Sequence, residues 1–261
     1  MLLCLSNTAH ATGPRVSAAL FTSPVNEIFA LDFPAVLNSN LDDGGIAAAI
    51  ITAAFKAENV ESTVTPLPLQ TMLSYYLNEE NALGIVGHNL NLSAAESKNV
   101  ILVPVLRLKE SYFYFRPKHE TLTWTGKLAE LKSLKIGLNK GDNLTAYQKA
   151  GVHVEQDRLE PHLKSLMDGK IDVLREANWS LTFVLTKNFA DKKASVVQLE
   201  PSAGEAVISV AFNKKNPKGT ALAKQFQQGL AKLVASNHYT EILKKYAGDT
   251  AMEQYFNPLS H

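Results

Sequence analysis

The sequence is poor in the features that mark several large classes of protein. It contains one cysteine, Cys4, so a disulfide bond within the chain is excluded. Lys and Arg number 26 against 25 Asp and Glu, which leaves no excess positive charge to attract nucleic acid. The longest apolar stretches, such as residues 45–55, fall well short of the roughly 18 residues that a membrane-spanning helix needs. We therefore expect neither nucleic acid as a partner nor a membrane anchor in the body of the chain.

Motifs for common catalytic chemistry are also missing. The sequence has no Gly-x-Ser-x-Gly, no His-Glu-x-x-His, no paired-cysteine motif and no glycine loop of the phosphate-binding kind. His119, His153 and His162 do not have the spacing of metal ligands. These absences predict no catalytic residue, no metal and no cofactor.

The composition is that of an ordinary globular protein. The 261 residues are 46% hydrophobic and 20% charged, enough to bury one large core or two smaller ones. Residues 1–5 are apolar and are followed by Ala9-His10-Ala11, a small-x-small pattern typical of signal-peptidase cleavage. We interpret residues 1–11 as the remnant of a signal peptide, with an ordinary frayed N-terminus as the alternative. Cys4 is not predicted to carry a lipid, because lipidation sites have a small residue just before the cysteine and Leu3 occupies that position.

Strands and helices alternate along the first part of the chain. Residues 16–21 are predicted to form a buried strand, and the polar residues 22–26 the loop that ends it. A helix begins after Gly45, strands are predicted at 61–66 and 82–87, and a helix at 69–77 lies between them. This order predicts a parallel sheet covered by helices.

A second α/β unit follows. Two apolar strands, 100–106 and 112–115, are separated by a polar crossing at 107–110. Further elements are predicted at the following positions: a helical turn at 128–131, strands at 135–138, 152–156 and 171–174, and helices at 143–149 and 159–167. The tail adds a strand at 207–212 and two helices, the first opened by Asn216-Pro217. No repeat of fixed length is present, which favours a doubly wound architecture over a barrel.

Several segments together resemble one family in order and spacing. They are Glu130-Leu131-Lys132-Ser133-Leu134-Lys135-Ile136-Gly137, Leu163-Lys164-Ser165-Leu166-Met167-Asp168-Gly169-Lys170-Ile171-Asp172, Val207-Ile208-Ser209-Val210-Ala211-Phe212 and His238-Tyr239-Thr240-Glu241-Ile242-Leu243. The chain resembles family 3 bacterial extracellular solute-binding proteins over nearly its whole length. The resemblance implies an α/β, two-lobed periplasmic-binding-protein fold, with each lobe a doubly wound sheet flanked by helices.

The resemblance also implies an organisation and a role. Residues 12–106 and 206–261 would form lobe one and 107–205 lobe two, with the crossing strands as a hinge. A small polar solute would bind between the lobes of a periplasmic monomer, which delivers it to the membrane permease of an ABC importer or to a sensor. Two alternatives remain open: an enzyme on the same scaffold, similar to cyclohexadienyl dehydratase with Glu176 or His88 as acid or base, and a sensory or orphan protein that acts by protein contact.

The candidate ligand-binding residues are polar groups that follow predicted strands. They are Thr22, Ser23, His88, Asn89, Lys140, Asp142, Asn143, Arg175, Glu176, Asn178 and Trp179. The family's amino-acid receptors hold the ligand carboxylate with an arginine where this sequence has Ser97, and with Gly-Thr where it has Gly141-Asp142. The family's ammonium-binding aspartate falls near Glu176 or Ala177. An α-amino-acid ligand is thereby in question, whereas Asp142 suits a cationic one.

Overall fold

The structure is a computed structural model that describes residues 26–31, 33–38, 41, 43–67, 83–88, 94–249 and 252–259. Five predictions lie outside these residues: the signal-peptide remnant at 1–11, the strand at 16–21, the loop residues Thr22 and Ser23, the helix at 69–77, and Asn89. The first strand described, β1, covers Asn26–Leu31 and buries its central residues. The prediction that Asn26 belongs to a loop is wrong, because Asn26 begins this strand and its amide donates to the carbonyl of Glu61.

The next elements form a parallel unit around β1. They are α1 (Ile46–Lys56), β2 (Ser62–Leu67), β3 (Gly84–His88) and the short α2 (Ala94–Ser97). Both β2 and β3 pair with β1 in parallel, as the alternation of strands and helices predicted.

One long strand, β4, runs from Val100 to Phe115 without a break. The sequence predicted two strands separated by a polar crossing at 107–110, and this prediction is wrong. The polar side chains of the crossing find partners on neighbouring elements, so the strand continues through them. The Arg107 Nη1 lies 2.5 Å from the Glu205 Oε1, and Glu110 forms an ion pair with Arg175.

The middle of the chain forms a second parallel unit. Its strands are β5 (Lys135–Asn139), β6 (His153–Asp157) and β7 (Val173–Ala177), and β5 pairs in parallel with both others. A 3-10 turn (Leu128–Leu131), α3 (Thr145–Ala150), α4 (Leu159–Asp168), α5 (Asn178–Asn188), a second 3-10 turn (Lys193–Ser195) and β8 (Val196–Gln198) complete it.

The placement of β7 and α5 corrects the sequence interpretation. The sequence predicts a strand at 171–174 that is followed by Arg175, Glu176, Asn178 and Trp179. Instead, Arg175 and Glu176 lie within β7, and Asn178 and Trp179 form the first turn of α5. The helix forms here because residues 181, 184 and 185 recur at helical spacing and are buried against the sheet.

The chain ends with β9 (Gly204–Asn213), α6 (Gly219–Ala235), α7 (His238–Ala247), α8 (Met252–Tyr255) and β10 (Phe256–Asn257). The described strands form one sheet in the order β2-β1-β3-β9-β4-β7-β5-β6, and β8 and β10 also pair with β4. Because β4 pairs with β9 over its first part and with β7 and β8 over its last, it joins the two parallel units.

The buried hydrophobic residues form three clusters. The largest includes α1, α6 and the strands around β9, and the rings of Phe55, Phe212 and Phe226 meet within it. The other two lie on opposite faces of β4, β5 and β7, one around Tyr112 and the other around Phe113. No helix in the described part of the chain is long and apolar enough to cross a membrane.

Candidate functional site

Charged side chains meet where the carboxyl ends of β3, β5 and β7 approach β4. We call His88, Glu110, Asp142, Arg175 and Glu176 the charged cluster. Four of these residues were predicted from the sequence to bind ligand, and Glu110 was not. In an open α/β sheet, ligands bind outside the carboxyl ends of the strands, so this location is the one expected for a site.

Glu110 is the centre of the charged cluster. Only 1% of this residue is exposed, and its carboxylate forms an ion pair with the Arg175 guanidinium. The Glu110 Oε1 also lies 3.6 Å from the His88 Nε2. A buried carboxylate needs such partners, because desolvation of an unpaired charge is costly.

His88 ends β3 and connects the cluster to the loop that follows β1. The ring of Phe33 stacks on the His88 imidazole with a centroid separation of 5.3 Å and an interplanar angle of 15°. Burial alone would lower the pKa of His88. The pairing with Glu110 and the charges of Asp142 and Glu176 outweigh burial, and the pKa is raised.

Glu176 is as deeply buried as Glu110, but its hydrogen-bond partners are neutral. Its Oε1 accepts a hydrogen bond of 2.8 Å from the Ala177 amide, and its Oε2 accepts one of 2.9 Å from the Asn139 side chain. Burial raises the pKa of Glu176 to about 7, although both hydrogen bonds act against the shift. The carboxyl group is therefore poised to gain or lose a proton near neutral pH.

Asp142 lies in the turn after β5 and faces the same charges. Burial raises the pKa of Asp142, while the charge of His88 opposes the rise and that of Glu110 adds to it. The Asp142 amide donates a 3.1 Å hydrogen bond to the Asn139 carbonyl, which fixes the turn.

Two tyrosines close the cluster on the side of β5. The hydroxyls of Tyr112 and Tyr147 are 2.8 Å apart and buried, and burial raises the pKa of both phenols. No sequence pattern predicts this contact, since Tyr112 alternates within an apolar strand and Tyr147 occupies an ordinary helical position. Glu110 could have been found as the one carboxylate within the long β4 pattern.

The other predicted residues lie elsewhere. Lys140 and Asn143 are exposed, and the Asn143 Oδ1 accepts a 2.9 Å hydrogen bond from the Thr145 amide at the start of α3. Asn178 donates to the Gln254 carbonyl, and the Trp179 indole donates to the Ala35 carbonyl. The structure thus brings together His88, Asp142, Arg175 and Glu176.

The balance of charge favours a cationic group as the complement. Three carboxylates, Glu110, Asp142 and Glu176, face one guanidinium and one imidazole, and Arg175 is already paired with Glu110. An ammonium group near Glu176 and Asp142 would stabilise the ionised forms of these two carboxyl groups, which burial disfavours. Among the described residues, no group of three or more histidine, cysteine or acidic side chains is arranged to hold a metal ion.

Several solved structures share this fold, although their sequences have little identity with this chain. No protein-family model and no curated protein matches the sequence. The GluR0 ligand-binding core from Nostoc punctiforme, solved with L-glutamate, is 14% identical with a TM-score of 0.66, covering 85% of this chain and 99% of that one. A histidine kinase sensor domain with similarity to periplasmic binding proteins is 16% identical with a TM-score of 0.69, covering 90% and 98%.

A third similar structure is the substrate-binding protein of an amino acid ABC transporter. It is 16% identical with a TM-score of 0.63, and the match covers 86% of this chain and all of that chain. The chain therefore has the two-lobed α/β fold of periplasmic binding proteins. This confirms the fold class and, at the level of the fold, the resemblance to family 3 solute-binding proteins.

Proposed function

We propose that this protein captures a small polar solute, amino-acid-like and bearing a basic amine, at the charged cluster. The single observation that carries the proposal is the convergence of His88, Glu110, Asp142, Arg175 and Glu176, of which Glu110 and Glu176 are buried and the other three half-buried. Similar structures include a complex with L-glutamate and a component of an amino acid transporter, which supports an amino-acid-like solute.

Closure of two lobes on the solute is part of the same proposal. We assign residues 12–106 and 206–261 to lobe one and 107–205 to lobe two, with β4 and β9 as the hinge. Two hydrogen bonds between the proposed lobes support closure. The Trp179 indole donates a hydrogen bond of 3.3 Å to the Ala35 carbonyl, and the Ser180 hydroxyl donates one of 3.1 Å to the Pro34 carbonyl. A solute held by both lobes would shift the population toward the closed form by its differential affinity.

The protein would act in the periplasm as a monomer without catalysis and deliver the solute to the permease of an ABC importer. The similarity to a transporter's substrate-binding protein supports this partner. A sensory role is the second candidate, supported by the likeness to a histidine kinase sensor domain. Copurification with a permease rather than a kinase separates the two.

Binding is tested by calorimetric titration with L-lysine, L-arginine, putrescine, L-glutamine and L-glutamate. We expect the amine-rich solutes to bind more tightly than L-glutamate. The variant Glu176→Gln should bind them about 10- to 150-fold more weakly, the effect of losing a hydrogen bond to a charged group.

The matched control is Glu160→Gln, which makes the same change at an exposed carboxylate on α4 that pairs with Lys164. This control should bind within about twofold of the original protein. Preference for L-glutamate, or equal loss in both variants, would contradict the proposal. Turnover of a cyclic carboxylic acid would instead support the enzymatic alternative.

A further inference from the structure

A cavity lies on the face of β4 opposite to Glu110 and Tyr112, the face that Ser111 shares with its cross-strand partner Glu176. It has a volume of about 750 Å³, and we call it the β4 cavity. Its wall includes Ser111 on β4, Asn178 and Thr182 on α5, Gln198 at the end of β8, Ser202 and Tyr255. Successive side chains of a strand point to opposite faces, so Ser111 points away from the side of Glu110 and Tyr112.

Two buried polar groups in this wall lack partners. Ser111 is fully buried at 0% exposure, and its hydroxyl has no hydrogen-bond partner among the described residues. Asn178 is 6% exposed, and within the same part of the chain its Oδ1 also has none, although its Nδ2 donates to the Gln254 carbonyl. Because buried polar groups are normally satisfied, two such groups in one cavity wall indicate a polar occupant.

The chemistry of the wall differs from that of the charged cluster. Hydroxyl and carboxamide groups predominate, and these can both donate and accept hydrogen bonds. The Lys109 ammonium already donates to the Glu253 carbonyl at 2.5 Å, and the Glu200 carboxylate accepts from the Gln198 amide at 2.5 Å. The charged side chains of the wall, Lys109, Glu200 and Glu253, are of both signs, so the wall does not select an occupant by charge alone.

An aromatic ring contributes a flat apolar face. Tyr255 lines the cavity and is held against the Trp179 indole, with ring centroids 5.2 Å apart at 67°. A ring held in this way can cover the C–H face of a molecule whose hydroxyls bond to the surrounding groups. This combination fits a molecule with many hydroxyls and no charge.

We propose that the β4 cavity is a second binding site, for a neutral polyhydroxylated molecule of about monosaccharide size. The site does not depend on the charged cluster binding a solute. Its ligand would satisfy the Ser111 hydroxyl and the Asn178 Oδ1, and it would contact Thr182 on the neighbouring helix.

The test is titration of the full chain with D-glucose, myo-inositol and sorbitol, followed by calorimetry and by tryptophan fluorescence, since Trp179 contacts Tyr255. At least one probe should bind with a Kd of about 1 mM or tighter. Ser111→Ala and Thr182→Val should each weaken binding about 3- to 10-fold, the effect of one neutral hydrogen bond.

The matched control is Thr186→Val, one turn further along α5 and exposed, where the hydroxyl bonds to the Thr182 carbonyl instead of lining the cavity. This control should keep the original affinity. Denaturation midpoints would verify that all three variants fold. No binding by any probe, or binding that both cavity variants leave unchanged, would overturn the proposal.

Discussion

Replacing Glu110 by glutamine should cost far more stability than the same change at a neighbouring ion pair. Glu110 is 1% exposed and serves both the Arg175 guanidinium and the His88 imidazole. Removing one partner of a buried pair typically costs about 3–5 kcal/mol, because the remaining charge stays buried. Glutamine keeps an oxygen that can accept from Arg175, so we expect about 3 kcal/mol.

The matched control is Glu205→Gln, which breaks the pair with Arg107, whose side chain is 26% exposed. Such a partly exposed pair contributes about 0–1 kcal/mol. Urea denaturation at pH 7 measures both changes. The double variant Glu110→Gln with Arg175→Met should be less destabilised than the sum of the single changes, by about 1–3 kcal/mol. Equal costs at Glu110 and Glu205 would refute the reasoning.

Two further predictions concern packing and pH. Gly229→Ala should lower the free energy of unfolding by about 1–3 kcal/mol, because the new Cβ would lie 1.9 Å from the Ala54 carbonyl oxygen; an unchanged urea midpoint would contradict this. Burial lowers the pKa of His162 from its ordinary value of 6.5, and neither ring nitrogen has a hydrogen-bond partner among the described residues. Protonation of His162 therefore favours the unfolded state, and stability is lost as the pH falls below about 6.5. His162→Leu should lose less stability than the original protein between about pH 6.5 and 4.5, measured by urea denaturation across that range.

The sequence predicted the fold well where local pattern and tertiary structure agree. The parallel order of β1, β2 and β3 follows from alternating strands and helices, and the helix predicted at 159–167 is α4, which ends at a left-handed Gly169. The prediction from sequence failed at β4, because a run of charged residues indicates a break in a strand unless their partners on other strands are known. Glu205 and Arg175, which pair with that run, are 65 or more residues away in sequence.

The charged cluster could be predicted from the sequence only in part, for a related reason. His88, Asp142, Arg175 and Glu176 follow or end apolar runs, a signal visible in the sequence. Glu110 and the Tyr112–Tyr147 contact depend on which faces of distant strands and helices meet, which periodicity does not specify. Asn178 and Trp179 were predicted only to follow a strand, because the apolar spacing of α5 was not recognised.

The central claim is that an amine-bearing solute binds beside Glu176, and proton release on binding tests it most directly. Calorimetry at pH 7 in two buffers of different ionisation enthalpy measures the protons exchanged when L-lysine or L-arginine binds. With the pKa of Glu176 at about 7, a cation beside it should displace about half a proton at this pH. Glu176→Gln should abolish this release. Identical heats in the two buffers, or proton uptake, would contradict the account.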